Sequence, residues 1–353
     1  MLGNANQQPT IERRVPPPPP PPFQRVSFAG GSATIVRDPR VLSLLRSLIA
    51  RSMRSVDTTR VALPLPISPE LKHVQMIKAG HYLVSEKVDG VRYALVMCML
   101  QVGGEWRRIC ALVGRNSEAY IVPFVVTESL FVGGSVYDGE LVKDFAGRWR
   151  FVMFDAYMVS GDVISTKPFQ HRILRCWSLF RDCYTPMPAD LIEIACKRFF
   201  PLRTADPVEL RAIMDNCEET RAREYPTDGL ILVHANSVAT HGTNKTMLKF
   251  KSVHTIDLQV CDAEYTGTGT GYTLCSALDD KLVSVLALGG DLPDGLSVGS
   301  IVECALTRNA DCAGEIAVTP GHIRNDKTTP NSQWVVTRTI QTVRDAVSIE
   351  DCM

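Results

Sequence analysis

Between residues 81 and 157 the apolar positions gather into runs of six to nine residues, rich in Val, Leu, Ile and aromatics: His81–Glu86, Arg92–Leu100, Arg108–Val113, Ser135–Val142 and Arg150–Tyr157. Runs of that length and composition predict strands. A helical spacing interrupts them. Ser68-Pro69 opens a stripe of Leu71, Val74 and Ile77 that Gly80 closes, and Pro168–Phe180 places Phe169, Ile173, Cys176, Trp177 and Phe180 on one face. A further helix is expected at Asp206-Pro207, where Asp206 and Glu209 have capping-box spacing. Strands return at Gly229–Val233 and Met247–Lys251. Beyond Asp257 come short runs with Gly-rich turns: Cys261–Tyr265, Tyr272–Ser276, Leu282–Ala287, Ile301–Thr307 and Glu315–Val318. Five short strands in about 60 residues suit a small barrel of the OB type. The reading is α+β: a first unit of sheets and helices over 61–256, then a barrel over 257–353.

Residues 1–60 read differently. Pro16 to Pro22 are seven consecutive prolines, which fix φ and donate no hydrogen bonds, so this stretch is polyproline II: a stiff spacer or a ligand for an SH3, WW or profilin-type domain. Val41–Arg54 has the pattern of a short amphipathic helix, with Leu42, Leu44, Leu45, Leu48 and Ile49 against Arg46, Arg51 and Arg54. The Arg-rich leader shares features with a mitochondrial transit peptide, although the prolines interrupt any helix there. The expectation for 1–60 is a largely disordered, proline- and arginine-rich arm.

Composition adds limits. With 353 residues, 45% hydrophobic and 22% charged, the chain is long enough for two domains. No apolar run approaches the roughly 18 residues of a membrane span, so no membrane partner is expected. The net charge of zero hides an asymmetry: residues 1–60 hold nine Arg, no Lys and three acids, leaving 29 basic and 35 acidic residues beyond. A basic arm of this kind attracts phosphates or acidic partners. Eleven scattered cysteines without C-x-x-C are expected to be small buried thiols, not a disulfide framework or zinc site. The seven histidines are spread singly, and none pairs with a Cys or Ser at catalytic spacing.

Ser85-Glu86-Lys87-Val88-Asp89-Gly90-Val91-Arg92 sets a lysine at a strand end, with a glycine three positions on to turn the chain. Lysine is a nucleophile only when neutral, which calls for partial burial or neighbouring cations. Arg92 is close in sequence, and Leu248-Lys249-Phe250-Lys251 alternates two lysines onto one strand face. Tyr137-Asp138-Gly139-Glu140 and Thr227-Asp228-Gly229-Leu230 each put carboxylates at a strand edge, where they suit a hard cation or a ribose hydroxyl. The Thr266–Gly271 run lacks the lysine and helix of a phosphate loop and reads as a hairpin loop.

In order along the chain, K-V-D-G-V-R, Y-D-G-E, F-V-M-F-D-A, T-D-G-L-I-L, M-L-K-F-K and R-N-D-K-T-T-P-N resemble motifs I, III, IIIa, IV, V and VI of the covalent nucleotidyltransferases. That superfamily comprises polynucleotide ligases and mRNA capping guanylyltransferases. His241-Gly242-Thr243, Thr255-Ile256-Asp257, Glu303-Cys304 and the R-x-D-K-x-x-P-N form resemble the capping branch. The sequence departs from the pattern at Gly114-Arg115, where Asp-Arg is common, and lacks the usual aromatic within Ile316–Ile323.

The resemblance implies a ligase-like nucleotidyltransferase domain followed by an OB-fold domain, and an mRNA guanylyltransferase with a Lys87–GMP intermediate. It places Lys249, Lys251, Arg324, Asp326 and Lys327 in the catalytic set, and Glu86, Arg92, Arg115, Glu140, Phe154, Lys197 and Asp228 around GTP. Phe154 would stack on guanine, Lys197 would read its O6, and Glu140 and Asp228 would hold Mg²⁺ or Mn²⁺. The implied partners are GTP, 5′-diphosphate RNA, a separate RNA triphosphatase and the phosphorylated tail of a transcribing polymerase, in the nucleus, or in the cytoplasm for a viral enzyme. No triphosphatase H-C-x₅-R or methyl-donor G-x-G-x-x-G occurs in the chain. The alternatives are a ligase carrying AMP on Lys87 and an adaptor that binds partners through the proline tract.

Overall fold

The computed structural model describes residues 23–61, 63–102, 104–215, 224–266, 269–279, 281–289, 295–308 and 316–353. The proline tract, Cys217, Cys312 and part of the Thr266–Gly271 run lie outside them.

Three sheets organise these residues. The largest is built on the long antiparallel strands Glu105–Gly114, Val91–Val102, Ser135–Lys143 and Trp149–Val159, with Glu193–Cys196 joining the last of them in parallel. The helix Phe169–Ser178 packs into the core on one face, through Phe169, Ile173 and Cys176. The second sheet runs Phe200–Pro201, Tyr82–Val88, Thr227–His234, Thr243–Phe250, Leu65–Ile67. Alternate residues of its three longest strands, Val84, Leu230, Leu232, Leu248 and Phe250, enter a separate core with Ile77 of the helix Leu71–Ala79. That helix starts two residues after the expected position. The Glu70 amide donates to His73 Nδ1 at 2.8 Å, so the cap forms at Glu70, not at Ser68.

The region expected to be an arm is partly fold. Phe23–Phe28 and Gly31–Val36 form a hairpin that extends the large sheet through the pairs Thr34↔Ile121 and Ile35↔Tyr120. The helix Pro39–Ser52 follows, with the Asp38 carboxylate accepting from the Arg40 amide at 2.8 Å. Its Val41, Leu45 and Ile49, spaced by four, are buried against Ala94, Val96, Ala111, Val113 and Tyr157. The disordered-arm expectation therefore fails for residues 23–60. The helix expected at Val41–Arg54 is present, shifted by two residues; what the pattern did not show is that it covers an otherwise bare face of the central sheet.

The C-terminal unit begins at His254, three residues before the expected boundary. Its strands are His254–Thr266, Gly269–Leu278, Lys281–Gly289, Ile301–Arg308 and Ile316–Ile323. Numbered within the unit, their order is 3-2-1-4-5, the OB arrangement left open between the third and fifth strands among the described residues. Val336 and Val343 of the helix Gln333–Asp345 close one end of its core. After that helix the chain leaves the barrel: Ile349 and Cys352 are buried in the core of the second sheet, so the last residues belong to the first domain. Cys261 and Cys275 are joined in a disulfide across adjacent strands, which corrects the all-thiol expectation for this pair. A bulge between Val260 and Asp262 brings Cys261 beside Cys275, a proximity that linear spacing hides. No helix among the described residues is long and apolar enough to cross a membrane.

Candidate active site

Lys87 is the penultimate residue of the strand Tyr82–Val88, before the turn at Asp89-Gly90. A Cβ on Gly90 would lie 2.4 Å from the Leu141 carbonyl oxygen, so the close approach of the turn to the large sheet requires glycine there. The neighbouring strand Thr227–His234 pairs regularly up to Leu230↔Glu86, then shifts register before Thr227↔Val88. Asp228 sits in that bulge, which Gly229 permits at φ +133° with its α-carbon against the Phe250 carbonyl. The bulge aims the carboxylate at two lysines: Oδ1 lies 2.6 Å from Lys87 Nζ, and Oδ2 lies 2.7 Å from Lys251 Nζ. Burial raises the Asp228 carboxyl, but the charges of Lys87 and Lys251 outweigh it and hold the group below the ordinary carboxylate range.

Lys249 and Lys251 share a face, as the alternation predicts, while Leu248 and Phe250 enter the core behind them. Burial, with the charges of Lys251 and Lys87, lowers Lys249 from the usual ammonium range. Lys197 arrives from a crossover. Its amide donates to the Met153 carbonyl at 2.8 Å, continuing the parallel strand Glu193–Cys196, and three residues later Phe200 pairs with Val84 of the second sheet. The junction between the two sheets thus buries Lys197, at 3% exposure. Burial lowers it, against the carboxylates of Glu86 and Glu140. Its Nζ stands 5.6 Å from the centre of the Phe154 ring, and the Arg92 guanidinium carbon stands 5.5 Å from the same ring.

Arg92 is committed to its neighbours. It forms a two-point pair with Asp138 at 2.9 and 2.5 Å and donates to the Pro64 carbonyl at 2.8 Å. Asp138 also accepts from Tyr157 at 2.5 Å and is fully buried. Three donors converge on this one buried carboxylate, so the network ties the strand that carries Glu140 to its two neighbours. Glu86 accepts from Ser85 and Tyr225. Burial pushes Glu140 up to about 7, against the pull of Arg92, Lys87 and Lys197.

This shift has a measurable consequence. A carboxyl harder to ionise in the folded chain than in the unfolded one binds its proton more tightly when folded. Its contribution to stability is present below the ordinary carboxylate range and is lost as pH rises towards about 7. Glu140→Gln keeps that position neutral at every pH. Thermal unfolding is expected to show the variant gaining on wild type by about 2–3 kcal/mol between about pH 5 and about pH 8. An unchanged difference between the two would show that Glu140 ionises freely.

The structure brings Lys87, Glu86, Arg92, Glu140, Phe154, Lys197, Asp228, Lys249 and Lys251 around one cleft. Two groups of expected residues stand apart. Arg115 is exposed in the turn after Glu105–Gly114 and makes no ion pair among the described residues. The Glu118 carboxylate lies 1.8 Å from where a Cβ on Gly114 would be, so it fills the space of the missing aspartate side chain. Arg324, Asp326 and Lys327 are held on the barrel. Arg324 pairs with Asp326 at 2.8 Å, Asp257 at 3.1 Å and Glu303 at 3.5 Å, and Lys327 pairs with Asp257. The carboxylate of Asp138, expected at a hard cation or a ribose hydroxyl, is instead buried against Arg92 and Tyr157. The linear pattern gave no role to Tyr225, and none to Asp257 beyond its place in the Thr255-Ile256-Asp257 segment.

Two carboxylates, Glu140 and Asp228, face the lysines, and among the described residues no three His, Cys, Asp or Glu side chains cluster as a metal cage. Such a donor set fits an ion shared with substrate phosphates.

The family model described as mRNA capping enzyme, catalytic domain, matches residues 39–253. An mRNA-capping enzyme subunit alpha from Neurospora crassa is 26% identical over 255 residues, covering 64% of this chain. The chain spans about 60% of the length of that relative. Among solved structures, a mycobacterial DNA ligase D complexed with ATP and MES is similar at a TM-score of 0.43, with 14% identity, 75% of this chain and 95% of that one covered. The bacteriophage T7 ATP-dependent DNA ligase in complex with ATP gives 0.39, with 13% identity, 74% of this chain and 98% of that one covered.

Proposed function

Since this chain belongs to the family of mRNA capping enzyme catalytic domains, we propose that it is an mRNA guanylyltransferase acting through Lys87. The neutral Lys87 amine attacks the α-phosphorus of GTP, a P–N bond forms, the bond to the β-phosphate oxygen breaks, and pyrophosphate leaves. A β-phosphate oxygen of 5′-diphosphate RNA then attacks the same phosphorus, the P–N bond breaks, and lysine recovers its proton. The observation that carries this reading is the Lys87–Asp228–Lys251 arrangement, with Lys249 on the same face and Lys197 beside Phe154. Lys87 Nζ is held by Asp228 at 2.6 Å, so substrate binding must open the pair before the amine attacks. Glu140 and Asp228 would hold Mg²⁺ or Mn²⁺, which when bound supplies Lewis-acid charge at the phosphates. Lys249 and Lys251 offset the charge that develops on the α-phosphate in a water-poor cleft. Phe154 offers a stacking face for guanine, and Lys197 a donor to its O6.

Incubation with labelled GTP or ATP, followed by denaturation, tests the reading. GMP should remain on the chain and pyrophosphate should remove it. Retained AMP would make the protein a ligase, and retention of neither would overturn both.

Arg324 and Lys327 are proposed to bind the β- and γ-phosphates, exchanging their carboxylate partners Asp257, Glu303 and Asp326 for the nucleotide as the barrel closes. Those phosphates exist only in the first step. Arg324→Ala or Lys327→Ala should slow adduct formation by about a hundredfold while changing transfer from preformed adduct less than about threefold. Equal losses in both steps would refute the assignment. The relative's name as a subunit supports a separate partner polypeptide, which we assign as an RNA triphosphatase. A nuclear location and a polymerase tail as recruiter follow from the same reading.

A further inference from the structure

We propose that the cavity at the hinge between the two domains binds an organic anion with an apolar body, and that its occupancy sets the angle between them. The cavity has a volume of about 340 Å³. Both chain crossings line it: Lys251, Ser252 and His254, leaving the second sheet for the barrel, and Ala346 to Ser348, returning from the barrel helix. Met214 and Phe250 from the first domain and Leu306 and Val343 from the second give the lining an apolar part, beside polar atoms from Ser252, Thr307 and Thr342.

Charge selects the ligand. Arg308 lines the cavity and donates to the Val343 carbonyl at 3.1 Å and to the Arg344 carbonyl. These bonds occupy two of its five N–H donors without neutralising it, and no carboxylate pairs with it among the described residues. Arg211 also lines the cavity but is answered by two carboxylates, Asp215 at 3.8 Å and Glu350 at 3.3 Å, so the cation left for a ligand is Arg308. An anionic head at Arg308 with an aromatic or aliphatic body among Met214, Phe250, Leu306 and Val343 complements both features. Because each crossing contributes wall, rotation of the barrel reshapes the cavity. A ligand fitted to the present shape holds the present angle. The expected effect on turnover rests on the guanylyltransferase reading; the binding does not.

The full chain titrated with 1-anilinonaphthalene-8-sulfonate should show saturable, one-to-one fluorescence enhancement that GTP does not compete away. Thr307→Trp, at an exposed position of the lining, blocks the mouth and should weaken binding at least about tenfold with unchanged thermal unfolding. Arg308→Gln should weaken it comparably. If loss of its carbonyl bonds unfolds that variant, Thr307→Trp decides alone. At saturating GTP, Lys87 labelling should slow as the fluorescence saturates. Displacement by GTP, multiple equivalent sites, or full affinity in Thr307→Trp would overturn the site. Binding as described without slower labelling would leave the site and remove its control of closure. Absence of any labelling in untreated protein would count against the guanylyltransferase reading only.

Discussion

Lys87→Ala is expected to abolish the covalent nucleotide adduct, by at least about a thousandfold, and to leave the fold intact. The side chain is 24% exposed and makes one ion pair, so truncation opens no core cavity. Asp228 keeps Lys251 at 2.7 Å and is not left an unpaired charge. The variant should therefore unfold within about 1 kcal/mol of wild type. Lys87→Arg should be equally inactive, because a guanidinium does not give up its proton at the operating pH. Labelling with GTP, read on denatured protein beside a thermal melt, checks both expectations. A normal adduct in Lys87→Ala would sink the mechanism; loss of the adduct together with the fold would show that the Lys87–Asp228 pair is structural.

The second large effect separates two truncations. Removal of 1–22 takes away the proline tract and should leave stability and labelling unchanged. Removal of 1–60 also strips the hairpin and the helix Pro39–Ser52, exposing the sheet face under Val36, Val41, Leu45, Ile49 and Met53. Five buried apolar side chains at about 1.5–3 kcal/mol each amount to roughly 8–15 kcal/mol, an upper value comparable to the whole stability of a domain. The longer truncation should be insoluble or lack a cooperative melt, with no adduct. A soluble, active 61–353 protein would show that the helix is an appendage. If 1–22 serves as the recruiting arm, its removal should reduce RNA or polymerase-tail binding at low salt only.

The chemistry was legible because it is written locally. A lysine near a strand end, two lysines alternating on one strand and the Asp228-Gly229 turn follow from periods of two and from turn residues and fall where the pattern put them, whereas Asp138-Gly139, expected at a strand edge, lies buried inside the strand Ser135–Lys143. The cap at Asp206 also falls where the pattern put it, its side chain accepting from the Val208 amide two residues on.

What the linear pattern left open are pairings between distant residues. The bulge that turns Asp228 onto Lys87 needs the register of a strand 141 residues away in sequence. Asp138 is indistinguishable from any turn acid until Arg92 and Tyr157 converge on it. Lys197 could have flanked the pocket or lined it; the crossover between sheets decided.

By itself, the sequence determined the strand and helix types, the lysine before the Asp89-Gly90 turn and the strand with two lysines on one face, because each depends on neighbours a few residues apart. Only the tertiary structure decided that residues 23–60 belong to the core, that the C-terminus returns to the first domain, that Cys261 meets Cys275, and that Arg324 and Lys327 rest on Asp257. Each of those is a contact between surfaces that exist only once the sheets have formed, and its energy comes from burial and charge pairing that no local window contains.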